Sequence, residues 1–312
     1  MTDSPLILLA DHRGDGLAGL ADRLAAAGFR TEVTDHLRAT CERIAASRPA
    51  LVLIDPLVEG GAQELEQLER RRQGQAFFPV LVVVDRGAPE AALVASRALR
   101  RGAWDLIHRD APDEELALRI ERLFEQSAAL SELDEMRHRA LHDDRTDLLR
   151  PSAFQARLEE HFSAAERHGF GLALCLVDLD DFGRVNKLFD HTVGDRVIAL
   201  VGDAIRRNLR AEDVAGRLGG DEFAVLLPYT GRIEGAHVVR RLRDEIHALT
   251  GPLTGSPEIT VKVSASLGFE TFDGRDLESV DELRAHAETA LREAKRTGGN
   301  RGVYYRALRR PA

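Results

Sequence analysis

Cysteine is scarce: in 312 residues only Cys41 and Cys175 occur, far apart and at no metal-ligand spacing, which excludes a cysteine-built metal site. Cys175 lies inside the apolar run LALCLV, and both read as buried thiols. Long apolar runs are missing too. The longest, Phe77 to Val84, is interrupted by Pro79 and falls far short of the roughly 20 residues that cross a bilayer. No basic region leads into an apolar stretch at the N-terminus, so neither a secretory leader nor a membrane partner is expected, and the chain reads as cytoplasmic. Positive charge is not in excess either. A net charge of -9 argues against a broad polyanion-binding surface, so nucleic acid is not an expected partner, while small basic clusters stay open.

What is present is a globular composition, 44% hydrophobic and 30% charged, at a length that suits two domains with a core each. The first part alternates strand-like runs with amphipathic helix: Leu6 to Ala10, the helical Leu17 to Ala27, then Leu51 to Ile54, Val80 to Val84, and Leu106 to Ile107. Such alternation predicts a doubly wound parallel sheet. Chemistry in these sheets collects at the carboxyl ends of the strands; Asp11 closes the first run and Asp55 the third, so the two acids are expected to meet. From Pro112 to about Asp144, Leu116, Ile120, Leu123, Leu130, Leu133, Met136 and Ala140 recur near a 3.5-residue period. That pattern predicts a long linker helix, over about 113–144. It either pairs with its twin as a short coiled coil or lies as a single solvated helix with one stripe against the first domain.

A second domain begins near Thr146. Pro151 opens a helix whose Phe154, Leu158 and Phe162 share a face, and Gly171 to Asp178 reads as a strand buried on both sides. Asp178 and Asp180 fall two apart at its end and so project to the same side. Further on, GRLGGDEF, Gly216 to Phe223, reads as two strands joined by a tight Gly219-Gly220 turn with Asp221 and Glu222 at the tip. Glycine lets backbone approach a bulky anion and the acids can hold a metal, which suits a nucleoside triphosphate with its magnesium. Asp195 stands just before the apolar-periodic Val197, Leu200, Val201, Ile205 and Leu209, where aspartate commonly caps a helix. Lys295, in the last turn of a helix ahead of Gly298 and Gly299, suits the negative end of the helix dipole. Arg210 and Asp213, alone, read as a helix-end ion pair.

The first 125 residues resemble a response-regulator receiver domain, a flavodoxin-like fold. Asp55 falls at the position of the phosphorylated aspartate and Asp11 at the first of the paired metal-binding acids. The resemblance implies a histidine kinase or another partner. The switch chemistry departs from the pattern: the second acid is His12, the usual Ser or Thr is Val84, the usual Lys is Arg109, and the proline after it is Asp110. A magnesium ligand, a phosphate-sensing hydroxyl and an ammonium are thereby replaced, which favours a degenerate receiver kept for dimerisation or partner binding.

Residues 145–307 resemble a GGDEF domain, the diguanylate cyclase family, on four ordered matches: Gly219 to Phe223, the acidic strand end at Asp178, Ser266-Leu267-Gly268, and Ala294-Lys295. The resemblance implies an α+β, palm-like fold with an antiparallel sheet flanked by helices. It also implies condensation of two GTP to cyclic di-GMP by a homodimer. Metal ligands for Mg2+ (or Mn2+) fall on Asp178, the Leu179 carbonyl and Asp221, with Glu222 as base or second metal ligand. Guanine contacts fall on Asn186 and Asp195, the triphosphate contact on Lys295, and a product-inhibition site on Arg210 and Asp213, to which Arg217 is a candidate addition. A carboxylate accepts from both guanine N1–H and N2–H2, a donor pair adenine lacks.

Several family residues are changed. Leu-Thr-Gly-Leu reads Arg145-Thr146-Asp147-Leu148, a common lysine is Gly183, the Asp after Asn186 is Lys187, the Gly before His191 is Asp190, and a phosphate-binding arginine is Gly299 with Arg296 or Arg301 as candidate replacements. These departures support an alternative: a weak or inactive receptor that binds cyclic di-GMP or GTP and signals through the receiver-like domain.

Overall fold

The computed structural model describes residues 4–11, 16–55, 78–86, 91–253 and 260–308. The chain divides into two compact units, one ending at Met136 and the other starting at Arg137. Among the described residues no helix is long and apolar enough to cross a membrane.

In the first unit, every residue of β1 (Leu6–Ala10), β3 (Leu51–Ile54) and β4 (Val80–Val84) is buried. Apolar runs without alternation need cover on both faces, and these strands occupy the interior of a parallel sheet. The sheet order is β2-β1-β3-β4-β5, with β2 (Arg30–Thr34) and β5 (Asp105–His108) at the edges. Ile7, Leu9, Leu51 and Leu53 pack with α1 (Ala18–Ala26) on one face. On the other, Leu8, Val52 and Ile54 pack with α2 (Leu37–Ser47) and α3 (Ala91–Arg100). The strand order reverses between β1 and β3, the crevice into which Asp11 and Asp55 follow their strands.

Helix α4 runs over Asp113–Leu141. Its apolar stripe divides: Leu116, Ile120 and Leu123 are buried in the first unit's core, whereas Leu130, Leu133, Met136 and Leu141 are exposed.

The second unit is a mixed sheet of order β10-β9-β6-β8-β7. The central β6 (Leu172–Leu179) is buried throughout and antiparallel to β8 (Glu222–Pro228) and β9 (Ala265–Phe272). β7 (Val214–Gly219) is one edge; β10 (Gly302–Tyr304), parallel to β9, is the other. Odd-numbered residues of β6, including Cys175, face α6 (Phe182–Arg207) and α7 (Arg232–Ala248). Leu172, Leu174 and Leu176 face α5 (Pro151–His168), which starts on its proline, and α8 (Val280–Arg296). Both cysteines are buried as expected, and burial pushes the Cys175 thiol up to about 12. Helix α8 crosses β9 at Gly268, backbone against backbone: a Cβ there would lie 2.0 Å from the Leu291 nitrogen and 2.4 Å from the Ala287 oxygen. Lys295 sits one turn beyond that crossing.

Candidate functional site

The hairpin turns one residue later than the sequence suggests. Gly219 still pairs with Glu222, because a register shift between Arg217 and Gly219 absorbs Leu218, so Gly220 (φ +39°) and Asp221 make the turn. The Leu179 N–H donates to the Asp221 carbonyl at 3.2 Å, which fastens the turn to the end of β6. Asp178 is the cross-strand partner of Glu222 on one side and of Ser266 on the other. The predicted Asp178, Leu179, Asp221 and Glu222 are thus brought together.

Asp178 is buried, with Lys295 Nζ 2.6 Å from its carboxylate. Burial pushes its carboxyl above the usual range; Lys295 opposes that shift, and Asp221 and Glu222 reinforce it. Three carboxylates facing one ammonium leave an excess of negative charge that suits a divalent cation. Among the described residues no three His, Cys, Asp or Glu side chains form a ready-made cage.

Asp180 is already engaged. It accepts from the hydroxyls of Ser264 (2.8 Å) and Ser266 (2.6 Å) and from the Asn300 N–H (2.8 Å), fastening the start of β9 and the loop before β10. A Cβ at Gly299 would lie 3.0 Å from this carboxylate. Of the candidate replacement cations, Arg296 is held by both oxygens of Glu293, and Arg301 Nε donates to the Gly299 carbonyl.

Asp195 does not cap a helix. Helical structure is continuous over Phe182–Arg207, with Asp195 in its interior. Yet a Cβ on Gly194 would fall 1.9 Å from Asn186 Oδ1 and 3.3 Å from the Phe182 ring. A straight helix would hold residues 186 and 194 about 12 Å apart, so α6 bends back on itself, and Gly194 is the residue that leaves room. The bend brings Asn186 to the neighbour of Asp195. Asp195 itself is paired with Arg145, Nη2 to Oδ2 at 2.9 Å.

Asp143, which the sequence reading passed over, is a hub. It accepts from the Arg145 N–H (3.3 Å) and from the N–H and hydroxyl of Thr146 (3.0 and 2.8 Å), and it pairs with Arg217 Nη1 at 3.1 Å. Arg217 then donates from Nε and Nη2 to the Gly220 carbonyl at 3.1 and 2.7 Å. Arg217 thus braces the hairpin turn. Burial alone would raise the Asp143 carboxyl, but the Thr146 hydroxyl and Arg217 outweigh it and hold it below the usual range. The ionised form therefore adds stability above the ordinary aspartate value, about 3.9, and that stability is lost as pH falls through the depressed value. In acid titrations followed by circular dichroism, Asp143→Asn is expected to start less stable at neutral pH and to lose less over that acid window; a parallel loss would refute the coupling.

At the candidate inhibitory site, Asp213 accepts the backbone N–H of Arg210 at 2.9 Å, and the Arg210 side chain is exposed. Burial raises the Asp213 carboxyl, against that backbone hydrogen bond. Both residues line a cleft of about 610 Å³ with Arg157, His161, Arg206 and Tyr229.

In the first unit, Asp11 and Asp55 converge on one point, 3.2 and 3.7 Å from where a Cβ on Gly16 would lie. Asp11 accepts the Gly16 and Leu17 N–H groups at the start of α1. Arg109 bridges Asp55 and Asp85, at 2.7 Å each. Val84 is buried at the end of β4, Asp110 pairs with Arg86, and His12 lies outside the described residues.

An acidic strand end braced against a GGDEF turn on a helix-flanked mixed sheet defines a class: the chain belongs to the family "Diguanylate cyclase, GGDEF domain", which matches residues 140–301. Over 197 residues it is 33% identical to diguanylate cyclase DgcP of Pseudomonas aeruginosa, covering 61% of this chain but 29% of that protein's length. Response regulator PleD of Caulobacter vibrioides is 26% identical over 319 residues, 91% of this chain and 67% of PleD. The crystal structure of the coiled coil and GGDEF domain of DgcB from Caulobacter crescentus, in complex with c-di-GMP, is 28% identical with a TM-score of 0.55. It covers 61% of this chain and 98% of that one. Together with the 2-1-3-4-5 parallel sheet, the PleD alignment makes the first unit receiver-like.

Proposed function

We propose that the chain is a diguanylate cyclase that, as a homodimer, condenses two GTP into cyclic di-GMP and two pyrophosphates. The convergence of Asp178, Asp221, Glu222 and Lys295 at the end of β6 carries this reading. Asp178, the Leu179 carbonyl and Asp221 would hold Mg2+ or Mn2+, which when bound neutralises phosphate charge and acidifies the attacking hydroxyl. Lys295, half exposed beside Asp178, turns to the triphosphate, and Gly219 and Gly220 leave backbone open to it. Glu222, exposed at the mouth, takes the proton of the 3′-hydroxyl. Asn186 and Asp195 read guanine. Each 3′-oxygen displaces pyrophosphate from the other nucleotide's α-phosphate, so two domains face each other; exposed Leu130, Leu133 and Met136 on α4 supply a dimer contact. The reading puts the chain in the cytoplasm.

Cyclic di-GMP inhibits from the Arg210–Asp213 cleft, arginine reading guanine O6 and N7 and aspartate N1 and N2. With Arg109 paired to Asp55 and Val84 in place of the phosphate-sensing hydroxyl, the receiver-like unit is read first as scaffold or partner surface, and Asp55 stays its candidate phosphoacceptor for a histidine kinase. Glycines at 183 and 299, where the family carries phosphate cations, favour slow turnover; at the limit this is a cyclic di-GMP receptor. Purified chain with GTP and Mg2+ is expected to form cyclic di-GMP, less so when product is added, and Arg210→Ala is expected to remove that inhibition. Absent product would reject the cyclase reading; tight product binding alone would leave the receptor.

A further inference from the structure

We propose that Arg145 is a base-selectivity residue: it engages one of the two carboxylate oxygens with which Asp195 reads guanine, so that the chain distinguishes guanine poorly from hypoxanthine, which keeps N1–H and lacks only the 2-amino group. The inference rests on the assignment of Asp195 to guanine. Arg145 Nη2 lies 2.9 Å from Asp195 Oδ2, and both side chains are about half exposed, 53% and 47%. The pair is therefore labile enough for a nucleotide to enter, yet its base is fixed. Asp143 holds the backbone N–H of Arg145. Thr146 is buried against α6, where its Cβ would stand 2.6 Å from a Cβ on Gly202, and Asp147 pairs with Arg206 of the same helix at 2.7 Å. A turn anchored on both sides keeps the guanidinium within reach of Asp195. The leucine common at this position has no charge to place there.

Guanine presents N1–H and N2–H2 to a carboxylate, whereas hypoxanthine presents N1–H alone. With Oδ2 engaged by Arg145, the second donor of the base has to compete with the guanidinium for that oxygen, and guanine's N2–H2 is read weakly. Removing Arg145 frees a charged acceptor, and a hydrogen bond to a charged group changes affinity by about tenfold or more.

The test is calorimetric titration of the full chain with the α,β-methylene analogues of GTP, inosine triphosphate and ATP, whose α-phosphates cannot be transferred. The wild-type chain is expected to favour the guanine over the hypoxanthine analogue by about threefold or less, and Arg145→Leu to raise that ratio by about tenfold. Arg145→Lys, which keeps a cation there, is expected to stay near the wild-type ratio, and Arg145→Leu combined with Asp195→Ala to lose the gain. A purely structural role would weaken all three ligands together. If Asp195→Ala erases guanine preference over adenine while Arg145→Leu leaves the guanine-to-hypoxanthine ratio unchanged or smaller, the inference is overturned and the guanine assignment stands. If Asp195→Ala leaves guanine preference intact, the assignment itself fails.

Discussion

Asp178→Asn is expected to abolish cyclic di-GMP formation, by about 10²- to 10³-fold or more, while leaving the second unit as stable as before or more so. The substitution keeps shape and removes charge. Burial already pushes the Asp178 carboxyl up, with Asp221 and Glu222 adding to the shift against Lys295, so its ionisation costs folding free energy. The sign follows from linkage: the raised carboxyl contributes fully below the ordinary aspartate range, and that contribution is lost as pH rises through its raised value. Wild type and Asp178→Asn are therefore expected to match in acid, and the variant to gain relative stability toward neutral pH. Lys295, half exposed, finds water when its partner goes. Product formation followed by chromatography, and thermal midpoints across pH, check the two halves separately. A variant that keeps turnover removes Asp178 from the chemistry; one that unfolds makes it a structural acid.

Gly268→Ala is expected to be the most damaging single methyl group. A Cβ at 2.0 Å from the Leu291 nitrogen meets helix backbone, not a flexible side-chain end, so α8 has to lift off β9. Overpacking of this kind costs about 3 kcal/mol, roughly 10 °C in the midpoint of a unit this size. Turnover is expected to fall as well, because Lys295 rides on α8 one turn past the contact. Gly183→Ala is the control: nothing lies within 4 Å of a Cβ there, and the residue stands in the first turn of α6, where alanine has the higher helix propensity. Midpoints by calorimetry decide between them; equal shifts would contradict the crossing described here.

The apolar grammar of the chain was readable where burial is two-sided. β1, β3 and β4 are unbroken hydrophobic runs and β6 is one as far as Val177, and Asp11, Asp55 and Asp178 fall at the carboxyl ends of β1, β3 and β6. β2 (Arg30–Thr34) was not readable, since RTEVT is an edge strand with half its surface in water and no apolar signature. The end of α6 nearest Asn186 misled because a bend is invisible to periodicity. Asp195 therefore resembled a cap, although Gly194 beside it carried the signal. Asp143 looks like any surface acid in sequence, and the spacing that placed Asp180 beside Asp178 gave no sign of what it holds. Their partners, Arg217 and the serines at 264 and 266, lie 74 and more positions away, a separation that one-dimensional pattern cannot bridge.

Asp178 and Glu222 are direct neighbours across a ladder whose strands stand about 4.8 Å apart. The sheet is thus a ruler for the two α-carbons, and no loop movement can lengthen it. On the proposed reading, control of this centre acts on what is brought to it, nucleotide by nucleotide and domain by domain, while the backbone beneath its charges stays in register.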